Sequence, residues 1–213
     1  MAKDRKISVS RIIAALAMTC LLFIAGILIG IYITNSKTND INSMKKDLEL
    51  ELTQLDIEDK LIENNCLDPK LLIEKLNDLS ARLTYLESQY DKNDPAILEI
   101  KKSYTLLEIR HYLRMKTINS ACSANCTLIL FFYSNTNSKE ESEKQGFVLD
   151  YLRSKHENVK IYSFDYDLNI SAIETLKELH SITITPSTII EGKVYAGFHD
   201  KEELEKVLEG RFQ

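Results

Sequence analysis

The stretch TLILFFYSNTNSKEE, residues 127–141, decides the fold of this chain. Its first part, Thr127 to Ser134, is a short run of aliphatic and aromatic side chains whose length suits a buried strand better than a helix. Its last part has the sequence of a capping box, in which the Ser138 hydroxyl accepts from the Glu141 amide and the Glu141 carboxylate reaches back. The stretch therefore predicts a central strand followed by a helix that runs to about Lys155.

The sequence after this helix alternates strands and helices. The predicted strands are Val159 to Phe164, Ser187 to Glu191 and Val194 to Phe198, and the predicted helices are Ile170 to Leu179 and Lys201 to Leu208. Apolar residues at helical spacing indicate the first of these helices, and Gly192-Lys193 provides a turn between the last two strands. The predicted order of elements is β-α-β-α-β-β-α.

This order, with a Thr-Pro ahead of the last hairpin, resembles the thioredoxin fold. The resemblance begins near Cys126 and covers less than half of the chain. In that family the proline after the second crossover helix is cis and lies beside the redox motif. The resemblance therefore implies a cis bond between Thr185 and Pro186, a minority state that ordered structure must select. Most relatives also have a further β-α unit ahead of the central strand, whereas helical sequence occupies that place here.

The redox motif of the family is missing from this chain. Family members run from an aromatic-Tyr-Ser strand end into a loop whose first cysteine lies three positions beyond the serine. This alignment puts Asn137 at the nucleophile position and Glu140 at the resolving position, and neither side chain exchanges disulfides. In the enzymes the positive end of the helix stabilises the thiolate. Here we expect Ser138 to occupy the same amides as an ordinary N-cap.

Four cysteines lie earlier in the chain, at positions 20, 66, 122 and 126. Cys122 and Cys126 precede the central strand, so at about 3.3 Å per residue they lie on the order of 25 Å from the usual motif, at the opposite end of the sheet. Three alternatives stay open: a structural disulfide between these two, a bond from one of them to Cys66, or free thiols. No metal site and no cofactor are expected, because no histidine neighbours the pair.

Ile12 to Thr34 contains no charged residue and is long enough to cross a bilayer, which takes about 20 apolar residues. Four basic residues and one acidic residue precede it, so the positive-inside rule keeps residues 1–11 in the cytoplasm and the rest of the chain outside. The stretch is longer than the apolar core of a cleaved signal peptide, which predicts a signal-anchor. Gly26 and Gly30 have the spacing that permits close pairing of two membrane helices.

The charge of the outer part narrows the range of partners. The 27 basic and 32 acidic residues of the whole chain fall to 23 and 31 from Asn35 onward, a net charge of −8. Such an acidic ectodomain argues against binding nucleic acid or lying on anionic lipid headgroups.

Helical sequence fills the region between the membrane span and the central strand. In residues 35–66 apolar residues recur every seven positions, but Glu51 and Glu58 interrupt the second row, so the seam of a coiled coil is only half formed. Asp68-Pro69 and Asp94-Pro95 each start a further helix, the second running to about Met115. The short link between these helices predicts an αα-hairpin. Its apolar stripe either packs within the chain or pairs with a protein partner or a second copy.

These patterns predict an α/β protein with one membrane helix and a helical stalk. The predicted parts are a cytoplasmic tail (1–11), a transmembrane helix (12–34), a membrane-proximal helix (35–66), a helical hairpin (67–118) and a thioredoxin-like domain (119–213). The favoured hypothesis is a membrane-anchored, extracytoplasmic binding or assembly module without redox activity. Its peptide groove, as the resemblance implies, is formed by Tyr133, Asn135, Asn137, Thr185 and Pro186. The alternatives are a thiol-disulfide oxidoreductase using Cys122 and Cys126, and a structural membrane protein in which the helical region does the work.

Overall fold

The computed structural model describes residues 9–61, 70–91, 94–122 and 126–212. The helices are α1 (Val9–Leu61), α2 (Lys70–Gln89), α3 (Pro95–Cys122), α4 (Lys139–Lys155), α5 (Ser171–His180) and α6 (Lys201–Phe212). The strands are β1 (Thr127–Tyr133), β2 (Val159–Asp165), β3 (Ser187–Ile190) and β4 (Lys193–Ala196). A long apolar N-terminal helix is thus combined with a C-terminal sheet domain. Cys66 and the Asp68-Pro69 start signal lie outside the described residues.

Helix α1 continues without a break through the predicted boundary at residue 35. The sequence contains no glycine or proline between Gly30 and Leu61, and these are the residues that most readily end a helix. The Thr38 hydroxyl also bonds back to the Thr34 carbonyl at 2.9 Å, so the polar residues in this region remain within the helix. The N-terminal part of α1 is apolar, exposed along its whole length, and long enough to span a membrane.

The second half of α1 packs with α2 and α3 in a bundle of three helices. Lys45 on α1 pairs with Glu99 on α3 at 3.1 Å, and Asp56, further along α1, pairs with Arg110, further along α3. Because the numbers of the paired residues rise together, α1 and α3 run in parallel.

Helix α2 runs in the opposite direction, since Asp47 pairs with Arg82 while the later Glu51 pairs with the earlier Lys75. Glu51, one of the residues that interrupt the predicted seam, is buried, and the Lys75 ammonium compensates its charge. The bundle core consists of Met44, Leu48, Leu55, Leu79, Leu83, Leu86, Ile97, Ile100, Tyr104 and Leu107. The apolar stripes of the helical region therefore pack against one another inside the chain.

The four described strands form one sheet in the order β2-β1-β3-β4. Strand β2 is parallel to β1, whereas β3 is antiparallel to both β1 and β4. Alternate side chains of β1 face two helical layers: Leu128, Leu130 and Phe132 pack toward α3 and α5, and Ile129 and Phe131 pack toward α4 and α6. The β3–β4 turn consists of Glu191 and Gly192, both with positive φ (52° and 82°), one residue earlier than predicted.

Helix α3 covers the edge of the sheet beside β2. It continues beyond the predicted end near Met115 to Cys122, and the Thr117 hydroxyl bonds back to a carbonyl within the helix. The Ser163 N–H of β2 donates to the Glu108 carboxylate at 2.6 Å, and Tyr162 lies 2.8 Å from the ring of His111. Helix α3 therefore connects the bundle to the sheet through contacts with β2.

Burial at this interface favours the uncharged forms of Glu108 and His111. Desolvation raises the pKa of Glu108 to about 8, although the hydrogen bond from Ser163 acts in the opposite direction. Desolvation lowers the pKa of His111 to about 4, and the nearby Arg114 and Lys160 act in the same direction. The α3–β2 contact is therefore formed with a neutral acid and a neutral imidazole at neutral pH.

We expect Leu48→Ala to lower the free energy of unfolding by about 2–5 kcal/mol, because Leu48 is 1% exposed in the bundle core. The matched control is Leu50→Ala on the same helix, since Leu50 is 52% exposed and should change stability by less than about 0.5 kcal/mol. Denaturant unfolding of the full chain in lipid nanodiscs measures both. Equal losses would contradict packing of this half of α1 within the chain.

The raised pKa of Glu108 makes stability depend on pH with a definite sign. The folded chain keeps the Glu108 proton up to about pH 8, so this contribution to stability is present in acid and is lost as the pH rises from about 4.5 through 8. Between pH 5 and 9 we expect the wild type to lose about 2–4 kcal/mol relative to Glu108→Gln. The control Glu99→Gln, at an exposed position of α3, should follow the wild-type curve.

Candidate functional site

Three chain segments meet at one end of the sheet. Because β1 and β2 are parallel, their last residues Tyr133 and Asp165 lie side by side. Strand β3 is antiparallel to β1 and pairs its first residue, Ser187, with Phe132, so the segment that precedes β3 reaches the same end. The loop 134–138 after β1, the turn after β2 and the segment with Thr185 and Pro186 are therefore neighbours.

Ser134 organises the loop that follows β1. It is buried, and its hydroxyl donates to an Asp167 carboxylate oxygen at 2.6 Å. The same hydroxyl oxygen accepts from the backbone amides of Thr136 and Asn137, each at 3.1 Å. Ser134 therefore binds two amides of the loop ahead of α4, which are different from the Glu141 amide that Ser138 was expected to bind.

Ser138 is not bonded as the predicted capping box requires, since its side chain makes no capping hydrogen bond to the start of α4. Its hydroxyl lies 2.5 Å from the Thr185 hydroxyl and 3.3 Å from that of Ser142. The prediction of a local cap was wrong because a hydroxyl distant in sequence competes for Ser138. The Thr185–Pro186 bond is cis, as the resemblance implies. Ser138 thus connects the loop after β1 to the segment of the cis proline.

The other residues of the predicted groove make no side-chain hydrogen bond with Ser138 or Thr185 in the described part of the chain. Tyr133 lines a separate cavity of about 220 Å³ between the bundle, α4 and β2. Burial raises the pKa of the Tyr133 hydroxyl above its ordinary value, although Lys101 acts in the opposite direction. Asn135 is exposed but donates to Asp165 at 3.0 Å, and Asn137 is exposed. We therefore define the candidate groove by Ser138, Thr185 and Pro186.

Thr185 has an open backbone at this site. Neither its N–H nor its C=O bonds to another residue in the described part of the chain, whereas the carbonyl of Pro186 accepts from the Gly197 amide at 2.8 Å. The flanking side chains Ile184 and Phe198 are 51% and 44% exposed. A backbone donor and acceptor beside exposed apolar side chains can pair with an extended segment of another chain.

Lys101 connects the bundle to this end of the sheet, and nothing in the sequence singles it out. Its side chain, 8% exposed, pairs with Asp165 at 2.6 Å and with Glu87 at 3.2 Å. Burial acts to lower the pKa of the ammonium, but Tyr133 and the two carboxylates raise it above the ordinary lysine value. A lysine on an amphipathic helix usually faces solvent, and its partner lies on a distant strand, so no local pattern could indicate this contact.

None of the described cysteines, Cys20, Cys122 and Cys126, belongs to the candidate groove. Cys122 is disulfide-bonded, whereas Cys126 carries a thiol, so the predicted alternative of a Cys122–Cys126 bridge is wrong. The Cys126 amide donates to the Asn119 side chain at 3.2 Å, which connects the start of β1 to the end of α3. Cys66, the other predicted partner, lies outside the described residues. Among the described residues, no group of three metal-binding side chains could hold an ion.

Comparisons with known proteins give matches among solved structures. No family model matches the chain, and no curated protein matches it. The chain is similar to a chloroplastic thioredoxin z (17% identity, TM-score 0.36, covering 46% of this chain and 88% of that one). It is also similar to thioredoxin O2 from Arabidopsis thaliana in the oxidized state (15% identity, TM-score 0.36, covering 48% and 90%).

These structural neighbours are thioredoxin-like proteins. In this chain the fold is defined by its own strands: a buried central β1, a parallel β2 on one side, and an antiparallel β3 and β4 on the other. The C-terminal sheet domain resembles the thioredoxin fold.

We expect Lys101→Met to lower the free energy of unfolding by about 3 kcal/mol, because it leaves the carboxylates of Glu87 and Asp165 without their cation. The matched control is Lys45→Met, which breaks an exposed pair with Glu99 and should cost less than about 1 kcal/mol. Denaturant unfolding of both variants in nanodiscs makes the comparison. A loss no larger than that of the control would show that the buried cluster contributes nothing to joining bundle and sheet.

Proposed function

We propose that this chain is a membrane-anchored, extracytoplasmic module that binds an extended segment of a partner protein without redox chemistry. The open backbone N–H and C=O of Thr185 carry this proposal. An extended segment can pair with this backbone through two hydrogen bonds while its side chains occupy neighbouring pockets. No thiol takes part in such pairing. Exposed apolar surface is supplied nearby by Ile184, which precedes Thr185, and by Phe198, which follows the Gly197 that bonds to Pro186.

The residue types in the loop support binding in preference to catalysis. Asn137 and Glu140 occupy the positions that the resemblance assigns to the two redox cysteines, and Glu140 pairs with Lys144 at 2.8 Å. The hydroxyls of Ser134 and Thr136 hold this loop against Asp167, so it can position a bound segment but offers no thiolate. The alternative oxidoreductase would have to use Cys122 and Cys126 at the far end of β1.

The proposal includes the placement of the parts. Residues 1–11 lie in the cytoplasm, 12–34 cross the membrane, and 35–66, 67–118 and 119–213 lie outside as stalk, hairpin and binding domain. The apolar first half of α1 supports the span, and the positive-inside rule supports the orientation. Pairing of two copies through Gly26 and Gly30 or through the helical region stays a prediction.

A selected peptide tests the proposal. A display library of extended peptides is selected on the full chain in nanodiscs, and the affinity of the selected peptide is measured by fluorescence anisotropy. We expect Thr185→Arg to weaken binding by at least about tenfold, or 1.4 kcal/mol, because the new side chain obstructs strand addition. The matched control Leu179→Arg, at a residue 70% exposed on α5, should leave the affinity unchanged.

Hydrogen exchange supplies a second measurement that is specific for backbone pairing. The Thr185 amide should become protected when the peptide binds. A peptide that binds equally well to Thr185→Arg, or a Thr185 amide that stays unprotected, would contradict the proposal. The oxidoreductase would be favoured if the wild type bound no peptide but oxidised a reduced protein substrate, and if Cys122→Ser and Cys126→Ser abolished this activity. Binding that depends only on the bundle surface would favour the structural role.

A further inference from the structure

The directions of the helices determine which end of the sheet lies near the proposed membrane span. Helix α3 runs parallel to α1, and Lys45 on α1 pairs with Glu99 near the start of α3. The start of α3 therefore lies on the side of the bundle from which α1 enters the membrane. The end of α3 points away from it.

Strand β2 runs in the opposite direction to α3. Lys101, near the start of α3, contacts Asp165 at the C-terminal end of β2, whereas His111, further along α3, contacts Tyr162. Asn119, further still, contacts Cys126 just before the start of β1. The C-terminal ends of β1 and β2 therefore point back along α1 toward the proposed span, and the candidate groove lies at this end of the sheet.

Helix geometry gives the height of the groove above the membrane. Lys45 follows Thr34, the last residue of the proposed span, by 11 positions, or about 16 Å at 1.5 Å per residue. Lys101 lies two positions beyond Glu99, so its contact with Asp165 is roughly 20 Å from the end of the span. The opposite end of the sheet, at Asn119, lies about 27 Å further away.

We infer that the occupant of the candidate groove is an extended segment immediately outside the membrane span of another membrane protein. This inference rests on the proposed function and on the span. A folded domain of 100 residues has a radius of gyration of about 13 Å, so its diameter exceeds the gap of roughly 20 Å between groove and membrane. An extended strand fits this gap, and about six residues at 3.3 Å each bridge it.

The charge of the chain and the effect of tethering agree with such a partner. The ectodomain carries a net charge of −8 from Asn35 onward, which disfavours anionic lipid headgroups as the occupant. A segment joined to a membrane span by a short linker is confined to the height of the groove. Its effective concentration there is much higher than that of the same segment in solution, without any additional contact.

Two reporters and one insertion test the inference in proteoliposomes. Each reporter has a single membrane span followed by the selected peptide, joined either by a flexible linker of about six residues or by a rigid helix of about 30 residues, roughly 45 Å long. The chain is used as wild type and with about 18 helical residues inserted after Ser36. This insertion adds five turns and raises the groove by about 27 Å without rotating it. Photocrosslinking from a benzophenone side chain in place of Phe198 measures capture.

The wild-type chain should crosslink to the short reporter at least about tenfold more than to the long one. The insertion variant should lose capture of the short reporter by a similar factor and bind the free peptide with unchanged affinity. Equal capture of both reporters by the wild type, or undiminished capture by the insertion variant, would overturn the inference. If the free peptide binds neither chain, the proposed function fails instead, and the two failures are thereby distinguished.

Discussion

The N–H of Ser163 points away from β1 at the edge of the sheet and donates to a carboxyl oxygen of Glu108 on α3 at 2.6 Å. An edge strand otherwise presents unpaired backbone groups to any strand that approaches. Helix α3 covers this edge, contributes Met115 to the core of the sheet, and is also the third helix of the bundle. Because α3 covers β2, it joins the helical bundle to the sheet domain. The buried pair between Lys101 and Asp165 strengthens the same interface.

Local patterns in the sequence predict most of the elements of the C-terminal domain. Strand β1 and helix α4 can each be predicted from residues that are adjacent in the chain. For both elements the local conformational propensity and the pattern of buried residues indicate the same structure. Helix α1 continues past residue 35 because polar residues alone do not end a helix that neighbouring helices support. The Lys101–Asp165 and Ser138–Thr185 contacts could not be predicted from the sequence for another reason. Each joins residues far apart in sequence, and such pairing depends on the tertiary fold.

Hydroxyl hydrogen bonds hold the loop between β1 and α4, at the place where a redox protein would have a thiolate. At the start of a helix, free amides and the helix dipole favour a negative charge, which is what a reactive thiolate requires. Here the Ser134 hydroxyl accepts from the amides of Thr136 and Asn137, in the loop ahead of α4, and donates to Asp167. The loop is thereby held internally, whereas the backbone of Thr185 across from it remains open. The proposed strand addition at Thr185 therefore requires no reactive group in this loop.

Because α1 is one continuous helix, the side of it that carries Gly26 and Gly30 has a fixed orientation relative to the bundle. Gly26 and Gly30 precede Met44 and Leu48 by 18 residues, or five turns at about 3.6 residues per turn, so all four lie on the same side of the helix. Met44 and Leu48 are covered by α2 and α3. Two copies that met through their glycines would each direct a bundle toward the other. The two α1 helices would therefore have to cross at an angle wide enough to place the bundles side by side. A membrane helix of another protein, which carries no such bundle, could pack against Gly26 and Gly30 without this obstruction.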